Sequence, residues 1–452
     1  MECVRKLVGI TAVVMSLALV VQADDAGTEV RLKKLEETVL RQQGEIQALR
    51  SELQRAGKAS EVLPPGTGKA ELDAQLAKAI DERIEASGLR QGKDIPPLLL
   101  AKHLEGLKAK GDLRLRYEQH NNDNAGGTGN TDRDRFRTRF RLGGVWTSTD
   151  ESWQVGAGVA TGGDSGTSTN ETWSNGEMFE TGDLRLDYAY AKHALGDSGV
   201  SVTLGQQKNP FVTSWLLWDS DVRPIGATLH AECGEFFATG GAYDVIQWGN
   251  SVGGLFAGQI GCGLKGKAGA LQIALGYYDY QGDVVESQAD EGSGVADFSS
   301  GNYDYNIVDL YVKGSTSLGD MKLSAYGDVF INLGADGKQS QRDPTPTAAG
   351  GLDPDAEDTG WVLGLKVQRG RWTLGYAYAR VEADSAVWGL KDADFGASGT
   401  GYDTDIKGHV LEVGYKMAKH LSLGFEADFL KPIAMDDQRE TDLYQLDIKY
   451  KF

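Results

Sequence analysis

From residue 109 to Phe452, apolar side chains recur at every second position, stretch after stretch. Leu113, Leu115 and Tyr117 alternate with Asp112, Arg114, Arg116 and Glu118. Phe136, Phe140, Leu142 and Trp146 stand against Arg135, Arg137, Arg139 and Arg141. The chain ends on Tyr444, Leu446, Ile448, Tyr450 and Phe452, alternating with Gln445, Asp447, Lys449 and Lys451. A period of two sends successive side chains to opposite faces of a strand, so each stretch has one dry face and one wet face.

The pattern predicts about 16 strands. They span 109–119, 133–146, 152–162, 182–193, 200–208, 226–235, 236–246, 253–265, 269–281, 303–315, 320–332, 359–369, 371–382, 406–416, 420–430 and 441–452. The pair within 226–246 is the least regular. The connections carry independent information. Short ones (147–151, 195–199, 266–268, 316–319, 370, 417–419) alternate with long ones (120–132, 163–181, 209–225, 282–302, 333–358, 383–405, 431–440). One member, 247–252, is short where a long loop is due. Tight turns on one side and long loops on the other indicate an all-β transmembrane barrel of antiparallel strands. A sandwich or solenoid has no reason to alternate loop lengths.

Composition agrees with this reading. Past residue 23 no run approaches the ~18 apolar residues of a membrane helix. The mean hydropathy is −0.36, as expected when only alternate residues meet lipid. Glycine is high at 60 and proline low at 10, which suits strands with tight turns. Tyr and Trp gather near strand ends, among them Tyr117, Trp146, Trp153, Trp361, Trp372 and Tyr415. Such rings favour the headgroup zone because they join an apolar body to a polar tip.

The N-terminal quarter is different. Residues 1–23 read as a cleaved export signal, with Arg5 and Lys6, an uncharged run from Leu7 to Val21, and Ala23 at the cleavage site. Residues 24–60 keep a heptad: Leu32, Val39, Ile46 and Leu53 at a, and Leu35, Gln42 and Leu49 at d. An apolar stripe of this kind is buried in a coiled coil with another copy, or against the protein's own surface. Residues 61–108 form a linker holding a second helix, with Leu72, Leu76, Ile80 and Ile84 on one side. The barrel domain is 109–452.

These residues resemble the "putative porin" family of bacterial outer-membrane proteins, and more distantly the phosphate-selective porins. The likeness rests on Gly111-Asp-Leu-Arg-Leu-Arg-Tyr-Glu118, on Asp134-Arg-Phe-Arg-Thr-Arg-Phe-Arg-Leu-Gly143, and on the alternating last strand ending in Phe452. The resemblance implies an outer-membrane location with the N-terminal stalk in the periplasm. It also implies a homotrimer, contact with outer-membrane lipid, and recognition of the Phe452 strand by the barrel-assembly machinery.

Alternation assigns the lumen. Arg114, Arg116, Arg135, Arg137, Arg139, Arg141 and Arg185 all point inward, a cationic ladder of the kind that favours anions in a pore. Carboxylates Asp112, Glu118, Asp187, Asp309, Asp328, Glu412, Glu426, Asp428 and Asp447 point inward too, so the arginines serve either as a selectivity wall or as ion-pair partners. The loop 209–225 is unusually apolar, with Phe211, Trp215, Leu216, Leu217 and Trp218. It either folds inward, turning Asp219, Asp221 and Arg223 toward the arginines, or contacts a neighbouring subunit. The acidic loops Asp353–Asp358 and Asp392–Asp394, with Asp403 and Asp405, lack calcium-loop spacing and read as solvated surface.

Other chemistry finds little support. The net charge of −19 opposes nucleic-acid binding. Cys233 and Cys262, the two cysteines past the export signal, are either one cross-strand bridge or two buried small side chains. None of the six histidines sits in a nucleophile or zinc motif, and His230 with Glu232 is the one pair worth checking for catalysis. No cofactor, metal or catalytic residue is expected. The expected function is passive diffusion of small polar solutes or ions, with a structural anchor tied to the envelope through the stalk as the alternative.

Overall fold

The computed structural model describes residues 106–452 except 125–131, 164, 175, 177, 180, 249–250, 282–303, 339, 341–351, 397–403 and 435–438. The export signal, the heptad segment and nearly all of the linker therefore lie outside the described residues. The strands are β1 (Leu107–Asn124), β2 (Arg133–Thr147), β3 (Trp153–Thr161), β4 (Glu171–Thr172), β5 (Leu184–Ala194), β6 (Val200–Gln206), β7 (Ile225–Cys233), β8 (Phe236–Trp248) and β9 (Ser251–Gly266). They continue as β10 (Gly269–Gln281), β11 (Tyr305–Leu318), β12 (Met321–Asn332), β13 (Thr359–Arg369), β14 (Trp372–Val381), β15 (Ile406–Lys416), β16 (Leu421–Pro432) and β17 (Arg439–Lys451).

Each long strand pairs antiparallel with the next, and β1 pairs with both β2 and β17, so the sheet closes on itself. The ring has 16 long strands; β4 is a two-residue extra. Closure satisfies the backbone N–H and C=O groups without a free edge, which is the condition for a sheet to stand in hydrocarbon. All sixteen expected stretches are present, including the irregular pair, now β7 and β8. The connection that is short out of turn is real: β8 and β9 still pair at Trp248↔Ser251.

The two faces are inverted relative to a soluble sheet. Leu115, Phe136, Leu363 and Leu446 are exposed on the outside, while Arg114, Arg116, Glu118, Asp309 and Asp328 are buried within. This is the arrangement a barrel adopts when lipid is its outer solvent. β4 has no counterpart in the alternation of the sequence. β3 pairs only with the Arg141–Thr147 end of β2, and the loop after β3 returns as β4 to pair at Arg137 and Thr138, extending the wall.

Cys233 and Cys262 lie on β7 and β9, each opposite Phe236 on the strand between them. Two strand spacings are about 9–10 Å, beyond disulfide reach. Cys262 is a free thiol, and both side chains are half-buried rather than enclosed.

Gly364 on β13 sits directly opposite Tyr326 on β12. A Cβ at Gly364 would lie 2.1 Å from the tyrosine ring, so the ring lies flat there only because the side chain is absent. Gly364→Val should displace Tyr326 at a cost of about 1–3 kcal/mol. The check is the temperature at which the folded barrel loses its fast electrophoretic mobility, expected to fall against wild type.

Candidate functional site

The β1–β2 register stacks charges across the strands: Asp112↔Arg141, Arg114↔Arg139, Arg116↔Arg137 and Glu118↔Arg135. Parallel guanidinium groups repel, and carboxylates interleaved among them offset that repulsion. Buried Glu118 accepts from Arg135 and from Arg137 at 3.3 Å, with His120 Nε2 at 2.9 Å. Asp112 accepts from Arg139 and Arg141, each at 2.8 Å. Arg116 donates to both oxygens of Asp447 on β17, at 2.7 and 3.0 Å. The arginines are thus both a ladder and ion-pair partners. A guanidinium has five donors, so one carboxylate leaves some of them for other partners.

Arg185 stands apart from this wall. It donates to the backbone carbonyls of Gly163, Ser165 and Ser168, bracing the loop between β3 and β5. The expectation that it adds charge to the ladder is corrected: its donors are spent on loop backbone.

The apolar loop 207–224 lies inside the barrel. Val212 exchanges two hydrogen bonds with the Gln259 side chain on β9, both at 2.8 Å. Asp328 on β12 accepts from the Ser214 N–H at 2.8 Å and the Thr213 hydroxyl at 3.3 Å. Trp215 Nε1 donates to the Tyr326 hydroxyl at 2.8 Å. On the far side, Asp221 pairs with Arg141 on β2 at 3.2 Å and Arg223 with Asp187 on β5 at 3.0 Å. β2 and β12 are on nearly opposite sides of the ring, so a loop touching both must cross the lumen. Leu216, Leu217 and Trp218 are buried, with Trp218 and Phe211 packed against Tyr278. Asp221 turns toward the arginine wall. Arg223 turns instead to Asp187, and Asp219 meets no cation among the described residues.

Residues 387–396 of a second loop also enter the lumen. Its Asp392 N–H donates to Trp215 O at 3.0 Å, and its Leu390 carbonyl accepts from Asp219 N–H at 2.7 Å. Phe395 packs edge-on against Trp215, ring centroids 5.1 Å apart. Asp394 pairs with Arg116 at 3.1 Å. The reading of Asp392, Asp394 and Asp405 as solvated surface is overturned: Asp392 and Asp394 line the lumen, and Asp405 is buried. Val387, Leu390 and Phe395 carry the same signal that marks 207–224, apolar side chains in a connecting loop.

The two loops and the arginine wall enclose a cavity of about 400 Å³. Arg114, Arg116, Arg133, Arg135, Arg137, Arg139 and Lys449 line one side. Asp219, Asp221, Asp392 and Asp394 of the two loops line the other, and Glu426 lines it from β16, the strand beside β17. Burial, then the nearby charge of Asp392, push Asp219 up to about 8. Asp392 is pushed up to about 6 by burial and by Asp394. Burial is the largest influence on Asp394 and opposes its ionisation, but Arg116, a hydrogen bond from Gln445 and Arg137 together hold that carboxyl below its ordinary value. A second cavity of about 560 Å³ lies toward the turn end and shares Glu426 and Lys449 with the first. Its lining adds Arg371, Lys416, Lys419 and Lys451.

His230 stands between Glu232, at 3.1 Å from Nε2, and the buried Thr239 hydroxyl, at 2.8 Å from Nδ1. Among the described residues no three metal-ligating side chains come together.

A sequence profile of the "putative porin" family matches residues 119–319 and 303–452. No curated protein sequence matches the chain. Among solved structures, OprB of Pseudomonas putida at high pH superposes with a TM-score of 0.50 at 15% identity, over 78% of this chain and 96% of that one. OmpF of Salmonella typhi, solved with daunomycin, gives a TM-score of 0.46 at 11% identity, over 76% and 97% of the two chains. The channel DcaP of Acinetobacter baumannii gives 0.44 at 14% identity, over 76% and 97%.

Proposed function

The chain belongs to the putative porin family of bacterial outer-membrane channels, and from that premise we propose that it admits small polar solutes by passive diffusion, with a preference for anions. The observation that carries this is the cavity left where two inward loops face the arginine wall. Seven basic side chains and five carboxylates line that cavity. Three more carboxylates, Asp112, Glu118 and Asp447, sit behind the arginines and hold them in register. Near neutral pH Asp219 is largely uncharged, so the surface meeting the solute is positive. The basic turn-end cavity continues the same field toward the periplasm. Charged walls of this kind select by sign without any chemical step.

Self-association as a trimer, delivery by the assembly machinery through the Phe452 strand, and a periplasmic coiled-coil stalk complete the proposal. Phe452 supports the second of these: its ring is half exposed on the lipid face and stacks on Phe140, while its backbone pairs with Gly111.

The test is single-channel current in a planar bilayer with a salt gradient. The expected result is stepwise openings whose reversal potential lies on the anion side. The preference should weaken as pH rises from 5 to 9, because Asp392 and then Asp219 gain negative charge over that range. Cation preference throughout would keep the channel and remove the role given to the arginines.

A further inference from the structure

The charges around the lumen cavity are sorted by element. The cations come from the barrel wall, strands β1, β2 and β17; the acids come from the two inward loops and from β16. We propose, resting on the porin reading, that this cavity is a binding site for small zwitterionic solutes of the amino-acid type, their anionic group on the arginine wall and their ammonium on Asp219, Asp392 and Glu426.

Ion pairing around the cavity is incomplete on both sides. Asp112, Glu118 and Asp447 on β1 and β17 are engaged by arginines, and two loop acids, Asp221 and Asp394, reach to Arg141 and Arg116. Among the described residues Asp219, Asp392 and Glu426 have no cation within 4.0 Å, and neither does Asp428 behind them, which is 2% exposed with one carboxyl oxygen lacking any hydrogen-bond partner. On the wall, among the described residues, Arg133 has no carboxylate within 4.0 Å and approaches His120 at 3.4 Å, and Arg114 approaches Asp447 no closer than 4.0 Å.

A plain anion on the arginines leaves Asp219, Asp392 and Glu426 without a cation, and a plain cation leaves the spare arginine donors without an acceptor. A solute carrying both charges meets a partner on each kind of group, and its ammonium draws Asp219, otherwise largely uncharged near neutral pH, into its ionised form. The size agrees. A cavity of about 400 Å³ holds roughly a dozen waters at ~30 Å³ each, room for an amino acid with part of its hydration.

Two probes separate this site from a simple anion site: 4-aminobutyrate, and its N-acetyl derivative, which keeps the carboxylate and loses the ammonium. Each is titrated against single-channel current through the full-length protein. The zwitterion is expected to interrupt the current at about ten-fold lower concentration, the scale of one charge-assisted hydrogen bond. In Asp219→Asn/Asp392→Asn that gap should collapse, and Glu426→Gln should narrow it independently if the double variant folds poorly. Equal or stronger block by the N-acetyl compound in the native channel would overturn the zwitterion site while leaving the porin. A gap that survives all these substitutions overturns it as well. A folded barrel with no stepwise current removes the porin reading, and this inference with it.

Discussion

A barrel lacking residues 212–222 should conduct ions about two-fold better or more than the intact chain, since an empty barrel of this strand number encloses a water-filled channel. The loop crosses the lumen from Asp328 and Tyr326 on β12 to Arg141 on β2, and its buried Leu216, Leu217 and Trp218 occupy space that water would otherwise fill. The strands do not depend on it. β6 and β7 pair with each other and with β5 and β8 through their own backbones. The residues left at 207–211 and 223–224 easily span two adjacent strands about 4.8 Å apart. Deletion also removes Asp219 and Asp221, so anion preference should rise together with conductance. An unchanged conductance would mean that the narrowest point lies elsewhere, and loop 382–405 would be the next segment to shorten.

What the sequence reveals here is what is local. Alternation at Arg114, Arg116 and Arg135–Arg141 depends only on the pleat, so inward direction comes from parity alone. All sixteen strands are legible for the same reason, and loop length separates the two ends of the barrel. The failures are contacts between segments remote in the chain. Nothing near Asp392 or Asp394 reports that Arg116, 278 residues from Asp394, is its partner. Arg185 has the right parity for the ladder, yet its donors go to carbonyls of a loop whose path parity does not describe. Loop 207–224 stands out because its apolar residues are contiguous. Loop 382–405 does not, because Val387, Leu390 and Phe395 are spaced among acids, and acids suggest water.

Replacing Arg135, Arg137, Arg139 and Arg141 together by Gln should move the reversal potential from the anion side past zero to the cation side. Four positive charges leave one wall, while Asp112 and Glu118 stay. Those carboxylates then lose most of their partners, though Glu118 keeps His120 at 2.9 Å and Arg116 at 3.7 Å. Losing one side of a buried ion pair costs about 3–5 kcal/mol, so the variant should also unfold at a lower temperature. Adding Asp112→Asn and Glu118→Gln separates the two effects. The six-fold variant has no stranded carboxylates on that wall, so part of the stability should return and selectivity should settle close to neutral. A reversal potential that stays on the anion side in the four-fold variant would locate the selecting field at the turn end, where Arg371, Lys416, Lys419 and Lys451 line the second cavity. Neutralising those side chains would then abolish the preference that the arginine wall had been assigned.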